Sequence, residues 1–215
     1  MEIINETENY IVICKANGED SEKDIPRMLA EQYHKEPSDF YCVHRLDKTA
    51  AGLLVYGRHK AAAAELTAQI QSDKLEKTYL AIVSGTPDSK SGTFKDLLYK
   101  DKIKQKMFPV KRMRKGVKAA YLEYTVLETG YINEDTVSLV SIRLHTGRFH
   151  QIRCQFASRK MPLVGDGKYG SRIKSRDLCL FCNNLGFYDP WQDLVVTFSA
   201  SPEKAGAWEI FSSIA

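Results

Sequence analysis

The chain has 215 residues, 43% of them apolar and 27% charged, the profile of an ordinary globular protein of one large domain or two small ones. No apolar run approaches the ~20 residues that span a bilayer, and the acidic start MEIINETENY has no apolar core segment, so neither a membrane span nor a signal peptide is expected. Net charge is only +4, which allows a polyanionic partner without demanding one; the lysines and arginines gathered within 100–118 and 143–176 form basic stripes that suit either phosphate contacts or an ordinary solvated face.

In chain order, Asn9 to Lys15 (NYIVICK) predicts a strand and Asn17-Gly18 a turn. Asp24 to His34 places Ile25, Met28, Leu29 and Tyr33 at helical spacing, and Glu36-Pro37-Ser38-Asp39 ends that helix. Tyr41 to Leu46 and Gly52 to Tyr56 read as strands, with charged residues on the connection between them. His59 to Gln71 is helical, an alanine run followed by Leu66 and Ile70. Thr78 to Val83 is a strand closed by Ser84-Gly85. Thr86 to Gly116 is polar, basic and weakly periodic, an extended loop or exposed hairpin. Val117 to Glu128 and Thr136 to Leu144 read as long strands paired through Gly130 to Asp135. Phe149 to Ala157 forms an amphipathic helix, Pro162 to Gly170 a tight glycine loop, and Leu178 to Leu185 and Leu194 to Ser199 late strands. The expected fold is α+β: a mixed, mainly antiparallel central sheet flanked by helices, in a single domain over 1–215.

The five cysteines (Cys14, Cys42, Cys154, Cys179, Cys182) are odd in number and lie mostly in apolar runs, as expected of reduced thiols in a cytoplasmic protein. Cys179-x-x-Cys182 has no second cysteine pair and no histidine at ligand spacing, so no metal site is expected there. With neither heptads nor a long exposed apolar strip, a monomer is the expected state.

Chemistry concentrates in four stretches. His44-Arg45-Leu46-Asp47 sets a base, a cation and a carboxylate between apolar runs; alone, so short a pattern is more often a capped strand end. Glu76-Lys77-Thr78-Tyr79 puts an aromatic hydroxyl in a strand, for core packing or for stacking on a flat substrate. Thr146-Gly147-Arg148-Phe149-His150-Gln151-Ile152-Arg153 opens a helix with several donors, and Arg148, Gln151 and Arg153 cannot all point one way. Met161 to Gly170 (MPLVGDGKYG) reads as a shaped structural loop.

In this order and spacing the four stretches resemble the RluA-type RNA pseudouridine synthases. That family's signatures are HRLD followed by Thr-Ser-Gly-Leu-Leu, a Lys-x-Tyr strand, Thr-Gly-Arg-x-His-Gln-Ile-Arg, and Pro-(Ile/Leu)-x-Gly-Asp-x-x-Tyr-Gly. Matches run from near Tyr10 to about Phe198. The resemblance implies an isomerase that converts uridine to pseudouridine in tRNA or rRNA, with no cofactor and no metal, RNA rather than DNA as partner, and no membrane association. It implies Asp47 as the catalytic aspartate, Tyr79 as the tyrosine that stacks on the target base, and Arg153 as the cation that pairs with the aspartate. Arg45 would enter the RNA stack that the flipped base leaves. Leu46 and Ile152 would wall the uracil pocket, and Arg148 and His150 would contact substrate.

Three departures stand out. Ala50-Ala51 replaces the Thr-Ser pair, Lys15-Ala16-Asn17-Gly18 replaces an N-terminal Lys-Pro-x-Gly turn, which predicts a looser turn, and no separate N-terminal S4-type RNA-binding module is expected. The rival readings are a carboxylate-dependent glycosidase or phosphoryl-transfer enzyme, and a non-catalytic RNA-binding or chaperone protein that keeps the fold. The first lacks a second well-placed acid and a P-loop; the second is opposed by Asp47, Tyr79 and Arg153 occurring together.

Overall fold

The computed structural model describes residues 1–214. Along the chain run β1 (Glu2–Glu6), β2 (Tyr10–Lys15), α1 (Asp24–Tyr33), β3 (Tyr41–Cys42), β4 (Ala51–Gly57), α2 (Lys60–Gln71), β5 (Glu76–Ser84), β6 (Ser91–Asp101), β7 (Lys106–Val110), β8 (Val117–Ile132), β9 (Asp135–Leu144), α3 (Gln151–Ser158), β10 (Leu180–Asp189) and β11 (Leu194–Ser199). They form two compact units, Met1–Lys77 with Phe181–Pro202, and residues 78–180 with 203–214. The class is α+β with mainly antiparallel pairing, as the sequence predicts.

In the first unit β2 lies between β1 and β4, antiparallel to both. Its apolar run is buried at Tyr10, Ile11, Val12 and Ile13, the mark of a strand covered on both faces. β10 joins β4 in parallel, and β11 pairs with β10. Gly52 sits at the β4–β10 contact with φ +113°, and a Cβ there would lie 2.4 Å from the Cys182 backbone, so only glycine lets the two chains meet. Two buried polar side chains of this unit, Tyr10 and Gln69, find partners on β10. The Tyr10 hydroxyl donates to Asp189 at 2.8 Å. Gln69, on α2, accepts from Tyr188 N at 3.0 Å and donates to Tyr188 O at 2.8 Å.

In the second unit the strand order is β5-β9-β8-β6-β7, antiparallel throughout. α3 covers one face, where Phe156 packs edge-on against Phe94 and Tyr124. On the other face Leu80, Ile82, Val137 and Leu139 pack with Val164, Phe211 and Ile214. Glu128 fastens the end of the chain, accepting from the backbone and hydroxyls of Ser212 and Ser213.

Four local expectations change. Residues 91–110 are an ordered hairpin, because β6 pairs along its length with β8 and its Phe94 and Leu98 are buried; the apolar signal is diluted by lysines, of which Lys95, Lys102 and Lys104 are exposed while Lys100 and Lys106 are half-buried over the rings of Phe149 and Tyr169. The β8–β9 turn is Asn133-Glu134 rather than Gly130 to Asp135. Gly130 stays in the strand opposite Val137, beneath Ile210 and Phe211. Only Tyr41–Cys42 of the segment before Asp47 is strand, since the chain then turns into the motif. β1, whose ends are exposed, has no recognisable apolar alternation and was not expected.

Candidate active site

Asp47 begins a tight turn, closed by Ala50 N donating to Asp47 O at 2.9 Å. Its next carbonyl, Lys48 O, accepts from Gly18 N at 2.8 Å and from the Lys15 ammonium at 3.3 Å. Lys15 also donates to Ala16 O at 2.7 Å and Glu19 O at 2.9 Å, and the Asn17 amide donates to Thr49 O. Ser21 exchanges two bonds with the backbone of Leu46, each 3.2 Å, and the Tyr56 hydroxyl donates to Ser21 O. The 15–21 segment is therefore a clamp on the Asp47 turn. The turn at 16–18 is firm without proline, and the Asp47 turn closes on backbone bonds without hydroxyls at 50 and 51. Lys15 is buried, and burial pulls its pKa down to about 8 against the opposing pull of Glu19, Asp47 and Asp20. Its ammonium thus sits in the field of the Asp47 carboxylate.

Asp47 itself is half-buried, neighboured by buried Leu46 and exposed Arg45. Arg45 pairs with Glu22 at 2.9 Å, both side chains more than half exposed, so the pair is weak and leaves the guanidinium able to move. His44 is buried and accepts from Val55 N at 3.4 Å; burial holds its pKa well below the ordinary 6.5. It is a neutral structural imidazole.

In the second unit Tyr79, on β5, is buried and sits opposite Ile142, which sits opposite Tyr124. Residues directly opposite across antiparallel strands share a face, so Tyr79 lies on the α3-covered side of the sheet. α3 carries Ile152 and Arg153, both buried. Tyr79 and Arg153 therefore belong to one face of this unit.

α3 starts two residues later than the sequence predicts, because His150 takes a left-handed φ of 47° at its N-cap. Gln151 closes the approach, accepting from the Thr146 hydroxyl at 2.8 Å and Arg148 N at 3.0 Å and donating to Tyr121 O. Arg148 reaches back to Ala119 O at 2.9 Å. The three donors of this motif do diverge. His150 stacks on Phe149 and lies 3.2 Å from the Tyr169 hydroxyl. Burial, with the charges of Arg153, Lys168 and Lys100, pulls its pKa down to about 3, so it is an uncharged group at neutral pH.

The residue that sequence reasoning missed is Asp166. Arg153 donates through Nε to Asp166 Oδ2 at 2.7 Å and through Nη2 to Oδ1 at 2.8 Å, a two-pronged pair with both side chains buried. The signal was a lone carboxylate between two glycines, but nothing in sequence ties a loop residue to a helix residue thirteen positions earlier.

Residues 9–158 match the family model described as RNA pseudouridylate synthase. An "Uncharacterized RNA pseudouridine synthase" of Aquifex aeolicus is 37% identical over 158 residues, covering 69% of this chain and 48% of that protein. A Bacillus subtilis protein of the same description is 30% identical over 93% of this chain and 68% of its own length. The chain thus spans about half to two thirds of these relatives. Among solved structures, "Human RNA Pseudouridylate Synthase Domain Containing 1" has the same fold, with a TM-score of 0.80 at 22% identity over 94% of this chain and 83% of that one. The motifs, the fold and the match over residues 9–158 agree, and the chain belongs to the RNA pseudouridylate synthase family.

Proposed function

We propose that this chain isomerises uridine to pseudouridine in tRNA or rRNA, with Asp47 as the catalytic group. The observation that carries the reading is the Asp47 turn. The motif's carboxylate is half-exposed, on backbone clamped by buried Lys15 and closed by its own hydrogen bonds. Such rigidity suits a group that must meet one sugar carbon.

The reaction breaks the N1–C1′ bond, joins C1′ to C5, releases the C5 proton and leaves a proton on N1. A uridine inside folded RNA must first leave its stack, at a cost of a few kcal/mol. Exposed Arg45 fills the gap and offsets part of that cost. The freed base stacks on Tyr79, between apolar walls that include Leu46 and Ile152. An ionised Asp47 then either attacks C1′ or removes a ribose proton to give a glycal. Arg153 is the cation that favours the ionised form. Arg148 and His150 contact the RNA, His150 as a neutral donor. No cofactor or metal enters the scheme. The exposed lysines of the β6–β7 hairpin contact phosphates.

The test is tritium release from bulk RNA labelled at uridine C5. The wild-type protein should release tritium, and Asp47→Ala should lower release at least about 1,000-fold while RNA affinity changes less than about threefold. RNA binding with no release from any RNA tried would favour the non-catalytic reading instead.

A further inference from the structure

We propose that Asp166 is a positioning residue for Arg153, and that the PLVGDGKYG loop serves the chemistry rather than only shaping the chain. This deepens the reading under "Proposed function" and rests on it.

The guanidinium of Arg153 is planar, and two of its nitrogens are held in that plane by the two oxygens of Asp166 at 2.7 and 2.8 Å. Rotation about the side chain is thereby blocked. Asp166 is itself fixed. Its Oδ1 accepts from Tyr169 N at 3.2 Å, and its carbonyl accepts from Tyr169 N and Ser171 N. The loop that carries it is pinned to β5: Leu163 bridges Val83, Val164 N donates to Ile82 O at 2.9 Å, and Ser84 N donates to Pro162 O at 2.9 Å. The strand that holds Tyr79 thus also anchors the carboxylate that holds Arg153.

The ring of Tyr169 supports the same group from the side, with its centroid 5.2 Å from the guanidinium carbon. The Tyr169 hydroxyl accepts from Met107 N at 2.8 Å and lies 3.2 Å from His150 Nδ1. One loop therefore both sets the plane of Arg153 and places a hydroxyl against His150.

A buried ion pair is poor evidence for stability by itself, since well-packed apolar residues often do as well. A carboxylate retained here is better explained by the orientation that it imposes. The experiment measures single-turnover tritium release at saturating RNA, RNA affinity and thermal melting for wild type, Asp166→Asn, Arg153→Ala and the double variant. Asp166→Asn should slow turnover about 100-fold with affinity within about threefold, and should add less than about threefold on the Arg153→Ala background. A folded Asp166→Asn with wild-type turnover, or penalties that multiply in the double variant, would overturn the assignment. Should Asp166→Asn not fold, Asp166→Glu decides. It keeps the charge but moves it by one methylene, and should lose about tenfold in turnover with melting little changed; full turnover would overturn the assignment. Wild-type protein without turnover sinks the function and this assignment together, whereas wild-type turnover with an unimpaired variant sinks this assignment alone.

Discussion

The carboxylate of Asp47 owes its place to a lysine thirty-two positions upstream, through the shared Lys48 carbonyl. Lys15 meets three carbonyls, which makes a buried ammonium tolerable. His150 shows the opposite solution: it meets its surroundings uncharged. This has a consequence for acid stability. With the folded pKa near 3 and the ordinary value near 6.5, the unfolded chain binds the extra proton between those limits. Stability from this group is complete above pH 6.5 and is lost as pH falls toward 3. The slope is at most about 1.4 kcal/mol per pH unit for one proton. Urea melts at pH 7, 6, 5 and 4 should show wild type losing more stability than His150→Gln; His44 titrates alike in both and cancels. Parallel curves would show that the imidazole is charged in the folded protein. No pKa between 6 and 7 in the turnover profile should belong to His150.

At the scale of elements, the β4–β10 pairing depends on one missing side chain. A methyl group on Gly52 would meet backbone rather than a movable side chain, at a φ that other residues rarely adopt. Gly52→Ala should therefore cost about 3 kcal/mol or more, read as a drop in the urea midpoint. An unchanged midpoint would mean that β10 parts easily from β4. The β6–β7 hairpin makes a separate prediction. Asp101 accepts from Ile103 N and Lys104 N at its tip, so Lys102 and Lys104 project from a formed turn. Replacing both by alanine should lower the slope of log affinity against log salt by about 1 to 2, roughly one per phosphate contact. Turnover at saturating RNA should stay near wild type. A slope that does not move would place the RNA elsewhere. The hairpin was half legible in sequence. Its basic charge was plain, but strand alternation was masked because lysines interrupt the apolar positions.

For the whole molecule, the readable part and the hidden part divide by the range of the interactions. Composition, apolar periodicity and four collinear motifs are properties of neighbours along the chain. They suffice for the α+β class, for most of β2, α1, α2 and β11, and for Asp47, Tyr79 and Arg153 as candidates. The family match over residues 9–158 agrees with the family resemblance of those motifs. The positions that depend on approach in space stayed hidden. Lys15 under the Asp47 turn, Asp166 on Arg153, Gly52 against Cys182 and Gly130 under Phe211 are each set by distances between segments far apart in sequence. Hydrogen bonds and ion pairs act over about 3 Å and carry no record of chain spacing. Sequence by itself therefore determined which groups are present for the chemistry. Only the tertiary structure decided what holds Arg153, because a buried guanidinium takes whichever carboxylate the packing brings to it.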